Sequence, residues 1–361
     1  CEAAMMLLDS QKFYKKWLED ISDCQSIGNG HVQHTAPFMG GGGGPAGWGG
    51  AIAVVPYEMY KIYGDKETFR RYLSKILRYF DYLDSRSSGG LVCREEEGGW
   101  CLGDWCPPEQ ITICEPFVNT ALYVKQMMMT KEASEAIGEN ETAAMLEKRI
   151  EEKKQAILNA YYSPQTGSFI GDAQGANSFA IDIGLGGERA FNNTKKKYDT
   201  ANAFDTGIFG TDILTRVLFE RGCADTAFRL LTSTGKGSFY NMKKQGATTI
   251  WENWDGERSH SHPMFGAVTR YLFSFILGIT QEKNLAGYEK IVIAPQIPDG
   301  LNRASGHITT VRGEIAVSFI RTEREMDFYV TVPQKAWFTY DSDCEFELWE
   351  GENHIHIDFE E

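Results

Sequence analysis

The stretch MFGAVTRYLFSFILGITQEKNLAGYEKIVIAPQI, residues 264–297, changes its hydrophobic period midway. Up to Leu277 the apolar residues recur at helical spacing. Phe265, Val268, Leu272 and Phe275 form the predicted inward face, and Gly278 supplies a stop. From about Glu289 the period is two, which is the signature of half-buried strands.

Before this switch the chain reads as helix. The opening CEAAMMLLDSQKFYKKWLEDI places Phe13, Trp17 and Ile21 four residues apart. Asp65 is a predicted N-cap for a stripe of Phe69, Leu73, Ile76, Phe80 and Leu83. Pro116 suits the first turn of a helix to Met129. Further helices are predicted around Leu146–Tyr161, from 205 to Arg221 with Gly222 as its stop, and over Asp225–Leu231. The count is about eight. After the switch, short alternating segments such as EIAVSFIRTE and EMDFYVTVP predict a small antiparallel β-domain. The division is placed at 285/286, giving segments 1–285 and 286–361. The fold class is mainly α followed by antiparallel β.

Composition narrows the partners. With 36 Lys+Arg against 50 Asp+Glu the net charge is −14, which disfavours nucleic acid and anionic membrane surfaces. No apolar run approaches the roughly 20 residues of a membrane span. The chain opens on Cys1, inside a helix and without a signal peptide, so it reads as a piece of something longer whose localisation is unassigned. The eight cysteines are expected to be mostly reduced and buried.

The loops carry the candidate chemistry. They are long, and rich in Gly and aromatics, as loops gathered at one end of a helical barrel would be. In TTIWENWD, residues 248–255, Glu252 stands between Trp251 and Trp254. Aromatic faces stack on sugar C–H surfaces and carboxylates accept hydroxyl protons, although a surface glutamate beside two core indoles fits the same pattern. Asp104, beside Trp105 in LGDW (102–105), suits either sugar binding or an Asx-turn or helix cap. Trp48, after the Gly40–Gly44 run, suits a sugar platform or a core position. The run of Glu95, Glu96 and Glu97 reads as a solvated face.

The pair His31/His34 lacks acidic or Cys companions at metal-ligand spacing, and His354/His356 share one face of a predicted terminal strand, so no metal is expected. His262 is better placed to bond a substrate hydroxyl. No phosphate or dinucleotide loop, GxSxG or HExxH motif occurs.

Seven motifs in order then resemble one family. They are GWG (47–49), PYEMY with YGD (56–65), LGDW (102–105), VNT (118–120), DTGIFG (205–210), GATTIWENWD (246–255) and SHPMFGAV (261–268). The chain is similar to bacterial α-L-rhamnosidases of glycoside hydrolase family 78. The resemblance implies an (α/α)6 barrel, here lacking its first helices, followed by a C-terminal β-sandwich. It implies hydrolysis of terminal α-L-rhamnose with inversion, without a cofactor, on a rhamnose-containing glycoside. Glu252 matches the family's general base. The general acid lies in an Asp-rich, Arg-containing motif upstream of these residues. Trp48, Trp105 and Trp251 would line the pocket, His262 would bond a hydroxyl, and Asp104 is a weaker match. The family often has Asp after GWG, whereas this chain has Gly50. A glucoamylase- or trehalase-like hydrolase and a non-catalytic sugar-binding protein are the alternative readings.

Overall fold

The computed structural model describes residues 1–40, 46–94, 96, 101–340 and 344–359, with Cys344 by its backbone alone. Gly41–Gly44, Glu95, Glu97 and Trp100 lie outside the described residues.

The helices alternate between two rings. The inner ring runs through α1 (Glu2–Leu7), α3 (Ala51–Tyr63), α5 (Glu115–Ile137), α7 (Ala176–Asp182), α9 (Ile208–Glu220) and a helical rod over 263–276. Each packs on the next, and the rod returns to α1. Outside them lie α2 (Gln11–Asp23), α4 (Lys66–Ser85), α6 (Asn140–Tyr161), α8 (Gly187–Tyr198) and α10 (Ala224–Leu231), while α11 (Phe239–Lys244) precedes the Glu252 loop.

The helix count exceeds the eight expected, for a physical reason. Periodicity finds helices with one wet face, and α3 has almost none. Ile52, Ala53, Val55, Pro56, Met59 and Ile62 are all buried, and Pro56 sits inside the helix. Helices α7 and α8 were also missed; α7 is seven residues long, with Ala176, Phe179 and Ala180 buried. Where an outer helix has a solvated face the reading holds. In α4, Phe69, Ile76, Phe80 and Leu83 are buried, and Asp65 caps the helix through Thr68 N–H at 2.9 Å. In α2 the inward stripe is Tyr14, Leu18 and Ile21, while Phe13 is 64% exposed. The rod departs from a regular helix. It tightens over Pro263–Val268, passes through α12 (Thr269–Tyr271) and widens over Leu272–Ile276. That change of pitch rotates Leu272 outward and buries Tyr271 instead.

Charged groups tie inner helices together. The Asp182 carboxylate, at the end of α7, meets Lys125 of α5 at 2.9 Å and Arg216 of α9 at 2.7 Å. Arg270 of α12 meets Glu2 of α1 at 2.9 Å and Asp212 of α9 at 2.8 Å.

Helix gives way to strand between Ile276 and Ile279, ahead of the 285/286 division. Gly278 permits it: φ is +71°, and a Cβ there would stand 2.2 Å from Pro295 N. Two short hairpins lie within the helical part, β1 (Ser87–Ser88) with β2 (Leu91–Val92) and β3 (Tyr162–Ser163) with β4 (Ser168–Phe169). The C-terminal part holds two four-stranded sheets. One is ordered β11 (Cys344–Leu348), β10 (Ala336–Tyr340), β6 (Ile291–Ile293), β5 (Ile279–Gln281). The other is β12 (Gly351–Asp358), β9 (Glu325–Val332), β8 (Gly313–Arg321), β7 (Arg303–Thr310). Every pair is antiparallel except β6–β10. Phe328 of one sheet packs edge-on against Phe338 of the other, with centroids 4.9 Å apart. Lys61, near the end of α3, fastens this part to the barrel by donating to the Lys283 and Leu285 carbonyls at 2.8 and 2.9 Å.

Among the described residues no helix is long and apolar enough to cross a membrane. The seven described cysteines form no disulfides. Only Cys106 is buried, against the expectation that most would be; Cys1 and Cys93 are exposed.

Candidate active site

The Glu252 loop is built as a pinned hairpin. Glu252 N–H donates to Ser259 O and His262 N–H to Ile250 O, both at 2.9 Å. These bonds set Glu252 and His262 on the same side. Flanking indoles anchor the loop from behind. Trp254 is buried, lies parallel to Phe204 with centroids 5.9 Å apart, and packs on Phe265 at 4.2 Å. Trp251 stacks on His260 at 4.5 Å.

A second loop meets the first. Trp105 Nε1–H donates to Glu252 Oε1 at 2.9 Å, and Cys106 Sγ contacts Asn253 Oδ1 at 3.1 Å. Ser259 N–H approaches Glu252 Oε2 at the longer distance of 3.4 Å. The loop that carries Trp105 is held by Asp104. Its carboxylate accepts Gly207 N–H at 2.7 Å and Gly210 N–H at 2.9 Å, at the start of α9. Ile208 N–H donates to Trp105 O at 2.8 Å. Both glycines are required: a Cβ on Gly207 would lie 2.4 Å from Trp105 O, and one on Gly210 2.4 Å from Asp104 Oδ2. The LGDW and DTGIFG motifs are thus two halves of one joint.

The result is a cleft of about 460 Å³ lined by Trp48, Leu102, Trp105, Glu252, Arg258 and His262. Trp48 stands on Phe209, edge to face, with centroids 5.0 Å apart. The Arg258 guanidinium lies 4.8 Å over the Trp105 ring. His262 lines the cleft, while its Nδ1 is buried and has no hydrogen-bond partner among the described residues. Glu252 is the one carboxylate lining this cleft among the described residues.

The structure therefore brings Trp48, Trp105, Glu252 and His262 together and withdraws two of the residues expected there. Asp104 is 1% exposed and both its oxygens are engaged by backbone N–H groups, so it is a helix cap rather than a sugar ligand. Burial pushes its carboxyl up to about 7, against the pull of those N–H bonds. Trp251 is buried behind Glu252 and does not line the cleft. Leu102 and Arg258 were missed. Leu102 sits inside the LGDW motif and Arg258 between GATTIWENWD and SHPMFGAV, but nothing in a one-dimensional pattern says which way a loop residue turns. At Gly50 a Cβ would lie 2.0 Å from Gln126 Nε2, so an Asp there would require the Gln126 amide to move.

Replacing Asp104 by Ala leaves two buried N–H groups unpaired and is expected to cost about 2 kcal/mol of stability. Chemical denaturation of the variant checks this; an unchanged midpoint would contradict the capping role.

Two rings of paired helices around an aromatic, carboxylate-bearing cleft place the chain in the six-hairpin glycosidase class. Residues 1–276 match the bacterial alpha-L-rhamnosidase six-hairpin glycosidase domain and residues 278–338 the bacterial alpha-L-rhamnosidase C-terminal domain, and the chain belongs to this family. An alpha-L-rhamnosidase of Alteromonas sp. (strain LOR) is 25% identical over 357 residues, covering 91% of this chain and 38% of the relative. One from Streptomyces avermitilis is 28% identical over 334 residues, covering 87% and 30%. The crystal structure of Streptomyces avermitilis alpha-L-rhamnosidase complexed with L-rhamnose superposes with a TM-score of 0.86 at 24% identity, over 99% of this chain and 37% of that one. The chain thus spans well under half the length of these relatives.

Proposed function

We propose that this chain is the sugar-cleaving part of an α-L-rhamnosidase, releasing terminal non-reducing α-L-rhamnose by inversion with Glu252 as general base. The observation that carries the reading is the Glu252 carboxylate, held by Trp105 Nε1–H at 2.9 Å among the aromatic walls and His262 of one cleft. Inversion needs two carboxyls about 6.5–9.5 Å apart, with room for a water between the base and the anomeric carbon. Glu252 removes the proton from that water as it attacks. The second carboxyl protonates the departing oxygen, and we assign it to the upstream acidic motif that the family resemblance implies. Trp48 and Trp105 offer stacking faces to the sugar, and His262 bonds a hydroxyl. The barrel carries the chemistry, and the β-domain braces it through Lys61.

Hydrolysis of an aryl α-L-rhamnoside, beside an aryl α-glucoside, tests the assignment on this chain alone and extended upstream. Rhamnoside-selective turnover by the extended form supports it, with little turnover by the 361 residues alone. Equal turnover of both sugars would favour a different sugar specificity. Rhamnose binding without turnover in either form would favour a binding protein.

Trp105 is a positioning residue in this account. Trp105→Phe keeps the ring but removes the donor to Glu252, and is expected to lower kcat about tenfold or more with little change in KM. A change confined to KM would mean that the indole serves only as a sugar platform.

A further inference from the structure

Arg258 lines the cleft but has no part in the hydrolysis described above. The hairpin that carries it is fixed at several points. Next to it, Glu252 N–H donates to Ser259 O at 2.9 Å. His260 Nε2–H donates to Gly256 O at 2.8 Å, and Glu257 N–H to Asp255 Oδ1 at 3.2 Å. The turn requires Gly256: φ is +78°, and a Cβ there would stand 2.5 Å from the Trp251 ring. From this fixed tip the side chain reaches the second loop, where its guanidinium carbon stands 4.8 Å from the centroid of the Trp105 ring. Asp255 and Glu257 are close in sequence. Among the described residues the guanidinium nevertheless makes neither an ion pair nor a hydrogen bond, and the indole is its partner. The same indole donates Nε1–H to Glu252 Oε1 at 2.9 Å.

We propose that Arg258 is a positioning residue that acts on Glu252 through the Trp105 indole; this rests on the reading of Glu252 as general base. Indole is the aromatic face that attracts a cation most strongly, and arginine is the cation found there most often. The contact has two consequences. It restrains the ring, and a ring free to turn about its side-chain bonds would carry Nε1–H away from Oε1. The positive charge over the π face also draws electron density from the indole, which makes Nε1–H a better donor to a carboxylate. Both effects keep the carboxylate in one orientation toward the attacking water, where small displacements are costly in rate. Arg258 occupies one face of Trp105, which leaves the other to the sugar. The role requires no contact between the guanidinium and the substrate, and this separates it from that of a sugar ligand.

¹H–¹⁵N spectra of the 361-residue chain test the contact without turnover. The chain has eight tryptophans, and the Trp105 indole signal is assigned by its loss in Trp105→Phe. Arg258→Gln is expected to move that signal more than any other indole signal. Rhamnoside kinetics of the upstream-extended chain test the consequence. Arg258→Gln is expected to lower kcat about fivefold, with KM changed by less than about twofold. The effect should vanish where there is no Nε1–H to hold, so the Arg258→Gln/Trp105→Phe double variant should match Trp105→Phe alone within about twofold. Circular dichroism checks that each variant keeps its fold. An unmoved Trp105 signal would overturn the proposal, whether or not the extended chain cleaves rhamnosides. A rise in KM alone, or rate losses that multiply in the double variant, would overturn it too and make Arg258 a sugar ligand. A moved signal in an extended chain that cleaves no rhamnoside would uphold the contact and overturn the hydrolase reading instead.

Discussion

Glu252→Gln is expected to lower rhamnoside hydrolysis by about 10²–10⁴-fold, the usual contribution of a positioned general base. The substitution is chosen because it disturbs little else. The amide oxygen of Gln still accepts the Trp105 Nε1–H bond made now at 2.9 Å, and the backbone pair between residues 252 and 259 is untouched. Rhamnose affinity should therefore persist while turnover falls, since Trp48, Trp105 and His262 remain in place. A loss of binding equal to the loss of rate would point to a ground-state role for Glu252. An unchanged rate would remove it from the chemistry altogether.

The second large effect is structural. Asp182→Ala is expected to cost about 3 kcal/mol at neutral pH, because it leaves Lys125 and Arg216 facing one another without their shared anion. This is the lower end for a broken buried pair, since both cations keep partial access to solvent. The pH dependence follows from the carboxyl. Burial alone would raise its pKa, but Arg216 and Lys125 outweigh burial and hold it below the usual aspartate value. A depressed folded-state pKa gives stability that is present above the unfolded pKa, near 3.9, and lost as pH falls through the folded one. The gap between the two proteins should thus be full at pH 7 and shrink below about pH 4. Urea midpoints from pH 3 to 7 measure it; a gap independent of pH would mean that the loss is one of packing.

Legibility in the sequence followed the solvent. Outer helices such as α4 were readable because a wet face alternates with a dry one. Helix α3 was not, because nearly every position is buried and Pro56 argues locally against a helix. The change of period at Gly278 was clear, although the first strand, Ile279–Gln281, is too short to alternate visibly. Within the site, Trp48, Trp105, Glu252 and His262 were identifiable as aromatic, acidic and imidazole groups on glycine-rich loops. Asp104 and Trp251 carried the same chemical signature, and only three-dimensional packing separates them: one caps α9, the other lies behind Glu252. Arg258 entered the cleft by a turn of the chain that no spacing encodes. The pairing of His354 and His356 with Asp327 depends on strand register, which is set by the whole sheet.

The most direct measurement is ¹H NMR of the sugar first released from an aryl α-L-rhamnoside by the upstream-extended chain, followed before mutarotation. A single displacement by water activated at Glu252 predicts that β-L-rhamnose appears first. Initial release of α-L-rhamnose would mean a double displacement through a covalent intermediate, and would contradict the role given to Glu252.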